Sequence, residues 1–186
     1  MKALEDYIAF DLEFNQYEGA YQIIQVSAVR FTDGKEVDHY DSYVYTDKPL
    51  KSFINGLTGI TQDKIQNAPQ LEQVLSEFKA FVGDRPLIGY NAKKSDLPIL
   101  LENGLDLEEQ YAVDVFDEAF ERRPSDLHGI KNLQLHTVAA FLGVAGRSHD
   151  SLEDARMTAL VYQQFLEFYQ GRTLLEEQEN FSINPF

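Results

Sequence analysis

The chain has 186 residues, 31 acidic against 16 basic side chains, a formal net charge of −15, no cysteine, and 44% apolar residues. That length fits one ordinary domain with a sizeable core, and the lack of cysteine excludes a disulfide scaffold, a thiolate metal site and a cysteine nucleophile. So acidic a surface repels nucleic acid and membranes alike, and a polyanionic substrate has to be met through local basic groups and bound cations.

No apolar run approaches membrane-spanning length, and the opening "MKALEDYIAF" carries acidic residues where a signal peptide needs an uninterrupted apolar stretch. A soluble, cytoplasmic protein is expected. The first element is a buried strand over Tyr7, Ile8, Ala9 and Phe10, ending in Asp11 and Glu13. Side chains two apart on a strand share a face, so two like charges sit side by side and something has to neutralise them. The runs "QIIQVSAVRF" and "EVDHYDSYVY", joined around Asp33 and Gly34, complete three antiparallel strands. Pro69 opens an amphipathic helix with Leu71, Val74, Leu75, Phe78 and Val82 at helical spacing and Gly83 as its stop. The short run "PLIGYN" feeds a helical "SDLPILLENG", and "QYAVDVF" reads as another strand. Asn132 is placed to cap "LQLHTVAAFLG", which ends at Gly143. A last helix starts near Asp150 or Ser151 and sets Leu152, Ala155, Ala159, Tyr162 and Tyr169 on one stripe before Gly171. This divides the chain into a domain over 1–171 and an acidic C-terminal tail over 172–186. The order implies an α/β fold: a mixed sheet of three antiparallel strands followed by parallel ones, with helices on both faces.

Ligand sites in such sheets lie at the carboxyl ends of strands. Asp11 and Glu13 fall there, Asp96 follows "PLIGYN" where the next helix begins, and "HDSLED" puts His149 on the approach to the last helix with Asp154 in its first turns. Taken singly, Asp154 reads equally as part of a capping box and Asp96 as a helix N-terminal charge. Asp11 with Glu13 resists such a reading, because like-charged neighbours are unfavourable without a cation.

These residues lie in three motifs, "FDLE", "IGYNAKKSDLPIL" and "HDSLEDARMTALVY", the last with His-x4-Asp spacing. Between them stands "NGLTGITQDKIQNAPQLEQVLSEF". In this the chain resembles the DEDDh 3′-to-5′ exonucleases, which include the DNA polymerase III epsilon subunit, ribonuclease T and oligoribonuclease. The resemblance covers roughly residues 6 to 170 and implies a ribonuclease H-like fold. Two departures stand out. A glycine turn usually follows the first motif's glutamate, whereas Phe14, Asn15 and Gln16 follow Glu13; Asn15 tolerates left-handed backbone and is expected to replace the glycine. Asn91 stands five rather than four positions before Asp96, and Ser95 replaces a customary aromatic.

The chemistry accounts for the residue types. Hydrolysing a phosphodiester needs a nucleophile made from water, charge stabilisation on the phosphoryl oxygens and help for the leaving alkoxide, which two divalent cations supply together. Magnesium prefers oxygen ligands, so carboxylates form its cage. The resemblance implies two Mg²⁺ or Mn²⁺ ions bridged by Asp11, with Glu13 and Asp154 completing the first and Asp96 binding directly or through metal-bound water. It makes His149 the general base, whose ordinary pKa near ~6.5 suits that task. It also implies substrate contacts at Leu12, Phe14, Tyr17, Ile60 and Asn91, with Phe14 and Tyr17 offering aromatic faces to the terminal nucleotide. Lys93, Lys94 and Arg147 flank the motifs as phosphate-binding candidates.

The function expected is 3′-to-5′ exonuclease action on single-stranded DNA or RNA that releases nucleoside 5′-monophosphates. The partners expected are a short or single-stranded nucleic acid with a free 3′ end and a polymerase or other protein, with no membrane. The alternatives are a catalytically silent nucleic-acid-binding or assembly module on the same fold and a magnesium phosphohydrolase acting on mononucleotides.

Overall fold

The first strand sorts the hydrophobic residues into two layers by simple alternation. In the computed structural model, which describes residues 1–144 and 150–183, β1 (Asp6–Tyr17), β2 (Ala20–Thr32) and β3 (Lys35–Tyr43) are antiparallel neighbours. Three helices follow, α1 (Ser52–Thr58), α2 (Gln62–Ile65) and α3 (Leu71–Val82). The chain then forms β4 (Leu87–Gly89), α4 (Asp96–Glu102), β5 (Tyr111–Asp114), α5 (Val115–Arg122), α6 (Leu135–Phe141) and α7 (Ser151–Ile183). The five strands lie in the order β3-β2-β1-β4-β5, with β4 parallel to β1 and β5 parallel to β4. This is the mixed sheet expected for a ribonuclease H-like fold.

Tyr7 and Ala9 enter a core cluster with Val29 and Phe31 of β2 and Ala155, Ala159, Tyr162 and Phe165 of α7. Ile8, Phe10 and Leu12 enter a second one with Val74 and Phe78 of α3 and Leu97 and Leu100 of α4. Helices therefore cover both faces. Two alanines one turn apart on α7, both fully buried, leave room for the helix backbone to approach the sheet.

β1 is longer than the sequence suggests. Asp11 and Glu13 lie within it rather than at its end, and the strand runs on to a two-residue turn at Glu18 and Gly19, whose φ values of 49° and 87° are those of a tight hairpin. Asn15 is accordingly not a substitute for a glycine turn; it stays in extended backbone, and Glu18 and Gly19 take the left-handed positions. What ends near Ala9 is the pairing with β4, which covers only Ile8 and Ala9. The two carboxylates thus sit where β1 overshoots β4 and is paired on the β2 side alone.

Other elements depart from expectation for local reasons. α1 and α2 are short, and each buries a single apolar residue, Ile54 and Ile65, too little to show as a period in the sequence. The run "QYAVDVF" is split at Asp114, which ends β5 and caps α5 by accepting the Phe116 N–H at 3.1 Å. Asn132 accepts the Gln134 N–H at 3.0 Å, a turn ahead of α6 rather than its cap. α7 does not stop at Gly171, where a helical glycine costs only about 1 kcal/mol; it continues to Ile183, and Arg172 meets Asp126 at 2.6 Å just past the glycine. Tyr169, expected on the buried stripe, is 45% exposed. Among the described residues no helix is long and apolar enough to cross a membrane.

The close approach of α7 can be tested by filling it. Ala159→Leu should lower unfolding free energy by about 1–3 kcal/mol, the usual cost of overpacking, read as an earlier midpoint in urea denaturation.

Candidate active site

Alternation places Asp11 and Glu13 on the face of β1 that carries Tyr7 and Ala9, the face covered by α7. Just past Glu13 the register with β2 slips, since Glu13 lies opposite Gln25 but Phe14 lies opposite Ile23, leaving Ile24 as the extra residue of a bulge. Bulges increase local twist and re-aim neighbouring side chains. The helix end is fixed separately. Asp150 Oδ1 accepts the N–H groups of Leu152 at 3.1 Å and Glu153 at 3.2 Å, so capping falls to Asp150 and not to Asp154. Ser151, fully buried, donates its hydroxyl to the Asp11 carbonyl oxygen at 2.9 Å and pins the first turn of α7 to the strand. Carboxylate oxygens of Asp11, Glu13 and Asp154 consequently all lie within 4.8 Å of one another, and each side chain is half-buried.

Asp96, the first residue of α4, is almost fully buried. Its Oδ1 accepts the Leu12 N–H at 3.1 Å, on the edge that β4 no longer covers, and its other oxygen takes the Ser95 hydroxyl. Ser95, where an aromatic was customary, thus hydrogen-bonds the carboxylate beside it. Asp96 is stitched to the backbone between Asp11 and Glu13 and lies outside the three-carboxylate group.

The crowding shows in the protonation equilibria. Burial is the largest influence on Asp11, followed by the charges of Asp96, Glu13 and Asp154, and together they hold its carboxyl well above the usual range, against the Ser151 hydroxyl. Burial and the charges of Asp154, Asp96 and Asp150 push Glu13 up to about 7. Asp96 is pushed up to about 6 by burial, with hydrogen bonds from Ser95 and Leu12 opposing. Among the described residues no lysine or arginine forms an ion pair with Asp11, Glu13 or Asp96. Oxygen donors of three carboxylates within 4.8 Å of one another fit a hard divalent cation.

The remaining expected residues are placed unevenly. Leu12 and Ile60 bury their side chains, 4% and 1% exposed, leaving mainly backbone to offer a substrate. Phe14 is on the opposite face of β1 from Glu13, packed against the second cluster and edge-on to Tyr21 with centroids 5.2 Å apart. Tyr17, the last residue of β1, shares the parity of Asp11 and Glu13. Asn91 takes a left-handed φ of 60° in the turn before α4. Lys93 is exposed and faces Asp117 at 3.8 Å, while Lys94 is exposed. His149 and Arg147 lie outside the described residues.

Two supports escaped the sequence reading. Asp114 accepts the N–H groups of Asn91 at 2.8 Å and Lys93 at 3.3 Å, which holds the turn leading to Asp96. Its signal was the same as that of Asp11, an acid closing an apolar strand. Ser151 carries no such signal, standing in the sequence only as a possible start of the last helix.

A family model described as "Exonuclease" matches residues 8–162. The chain belongs to the exonuclease family. This bears out the resemblance drawn from the three motifs. The exonuclease chain is 32% identical over 166 residues to a PolC-type DNA polymerase III of Thermotoga petrophila, a match covering 86% of this chain and 12% of that protein. A PolC-type polymerase of Halalkalibacterium halodurans is 38% identical over 88 residues, 47% of this chain and 6% of the polymerase. The exonuclease chain therefore spans only a small part of these relatives. In fold it is similar to the nuclease domain of 3′hExo, a DEDDh family member bound to rAMP, with a TM-score of 0.70, 21% identity, and coverage of 88% of this chain and 92% of that one. It is also similar to E. coli Exonuclease I in complex with a dT13 oligonucleotide, with a TM-score of 0.73, 16% identity, and coverage of 92% and 43%.

The raised carboxyl groups fix a direction for pH. The folded state holds a proton on Glu13 that the unfolded chain releases near pH 4.5, so the stability this contributes is complete below that pH and is lost as pH rises through about 7. The melting temperature of metal-free exonuclease should fall between pH 5 and about 7.5, and millimolar Mg²⁺ or Mn²⁺ should raise it most at the upper end, where protons no longer compete. Asp11→Asn should flatten both responses in a thermal-shift series; a full metal response in that variant would remove Asp11 from the cage.

Proposed function

We propose that this exonuclease hydrolyses phosphodiester bonds at the 3′ end of single-stranded DNA or RNA and releases nucleoside 5′-monophosphates. The observation that carries the proposal is the convergence of Asp11, Glu13 and Asp154 from a strand and a helix, with Asp96 against the same strand. Asp11, Glu13 and Asp154 would hold divalent cations, two in number and Mg²⁺ or Mn²⁺ by type, with Asp96 bound directly or through a metal-bound water. Bound there, such cations supply charge stabilisation on the phosphoryl oxygens and acidify water.

The chain's own residues do the rest. His149, five positions before Asp154 in the sequence, removes a proton from the attacking water. Ser151 and Asp150 hold the first turn of α7, so Asp154 keeps its place relative to β1 as charge changes during turnover. Tyr17 offers a ring face to the terminal base, with stacking worth about 1–3 kcal/mol. The PolC-type relatives support a polymerase as a partner, and the net charge of −15 favours short or partner-delivered strands over long duplex.

Digestion of a 5′-labelled oligonucleotide tests the function directly. A ladder shortened stepwise from the 3′ end, dependent on Mg²⁺ or Mn²⁺, is expected; binding without cleavage would leave a nucleic-acid-binding module, and action only on mononucleotides a different phosphohydrolase. His149→Ala should lower turnover by about 10²–10⁴, the scale of general acid–base catalysis, while oligonucleotide binding and the metal-induced thermal shift persist. Normal turnover beside an inactive Asp154→Ala control would take the base assignment away from His149. Tyr17→Ala should chiefly raise KM for the oligonucleotide and Tyr17→Phe should be mild, since the ring face remains; equal damage from both would point to the hydroxyl.

A further inference from the structure

Past Glu13, β1 is fastened to the segment between β3 and α1 by one buried amide. Asn15 is fully buried, and its Nδ2 donates to the Pro49 carbonyl and to Gln22 Oε1, each at 3.2 Å. Its Oδ1 accepts the Lys51 N–H at 3.1 Å. Asn15 stands two residues beyond Glu13 on the strand, a rise of about 7 Å, and the backbone of residues 49–51 is fastened to β1 at that point. An asparagine buried this deeply in a strand is costly unless each polar atom is met, and here both ends of the amide are spent on holding that loop.

The locked loop presents a cation. Lys51 is exposed, and its Nζ donates to Gln16 Oε1 at 3.2 Å, a neutral partner one residue from Tyr17. Among the described residues Lys51 has no carboxylate within ion-pairing distance, whereas Lys48 is 3.0 Å from Asp47 and Lys93 is 3.8 Å from Asp117. A strand approaching three clustered carboxylates, with Asp96 beside them, in a chain of net charge −15 needs such a group. An ammonium held only by an amide exchanges that bond for a phosphate oxygen at little cost, while the lysines already paired with carboxylates must first give up an ion pair.

We propose that Lys51, positioned by Asn15, binds the substrate phosphate next to the scissile one, so that the strand enters over the segment between β3 and α1 rather than past Lys93. The proposal rests on the exonuclease reading above.

Steady-state cleavage of a single-stranded oligonucleotide across a salt series, together with anisotropy of the same labelled strand, tests it. Lys51→Ala should raise KM about five- to tenfold with kcat within twofold. It should also reduce the slope of log(kcat/KM) against log[salt] by about 0.7, the loss of one phosphate contact on a single strand. Lys51→Arg should restore most of both. Asn15→Ala should raise KM in the same way and add little to Lys51→Ala in the double variant; should it fold poorly, Lys51→Ala alone decides. Unchanged KM and salt slope in Lys51→Ala, or a larger effect from Lys93→Ala, overturns the assignment. If the unmodified chain cleaves nothing, the exonuclease reading falls separately, and Lys51 is then judged by anisotropy, where equal Kd and salt slope in Lys51→Ala overturn the proposal.

Discussion

Repulsion among carboxylates is the constraint around which this molecule is arranged. Asp11 and Glu13 share one face of a strand whose alternation is dictated by the core below them, so they cannot turn apart without carrying Tyr7 and Ala9 with them. Bringing Asp154 to the same point is opposed by Coulomb repulsion in a partly desolvated setting, and packing elsewhere has to overcome it. The packing is identifiable: Ala155 and Ala159 let α7 approach, Tyr162 and Phe165 bury their rings against the sheet, and the Ser151 hydroxyl bonds the strand backbone at Asp11. The site is a place where the fold holds like charges closer than they would stay by themselves, as expected of a cage preformed for cations.

Much of this was legible in the residues because it rests on local rules. Period two along β1 put Asp11 and Glu13 on one face, and period 3.6 gave α3 almost to the residue. The spacing from Asp150 to Asp154 placed one on the cap and the other inside the helix, and only the structure showed which did what. The parts that stayed hidden depend on contacts distant in sequence. Asn15 reads as a turn residue until Pro49 and Lys51 are seen on either side of it. Asp114 looks like strand punctuation until its oxygens are found on the N–H groups of Asn91 and Lys93. α1 buries one side chain, Ile54, and so leaves no period to read. Gly171 suggests a helix stop by propensity, but its cost is small beside the continuous packing of α7 up to that point and the Arg172 contact just beyond.

Net charge and local charge act in opposite directions here. An acidic surface slows encounter with any nucleic acid and makes binding sensitive to salt. The same carboxylates, gathered at one point and partly dried, suit a divalent cation, and an ion held there would invert the local field that a phosphate meets.

The overshoot of β1 past β4 has a second meaning, for solubility. Beyond Ala9 the strand has no β4 partner among the described residues, and strand edges without a partner can recruit strands from other molecules. Asp96 closes the first open position by taking the Leu12 N–H, and the charges of Asp11 and Glu13 discourage a neighbouring chain from adding itself there. Replacing Asp96 with an apolar residue therefore takes away the acceptor of the Leu12 N–H as well as a carboxylate.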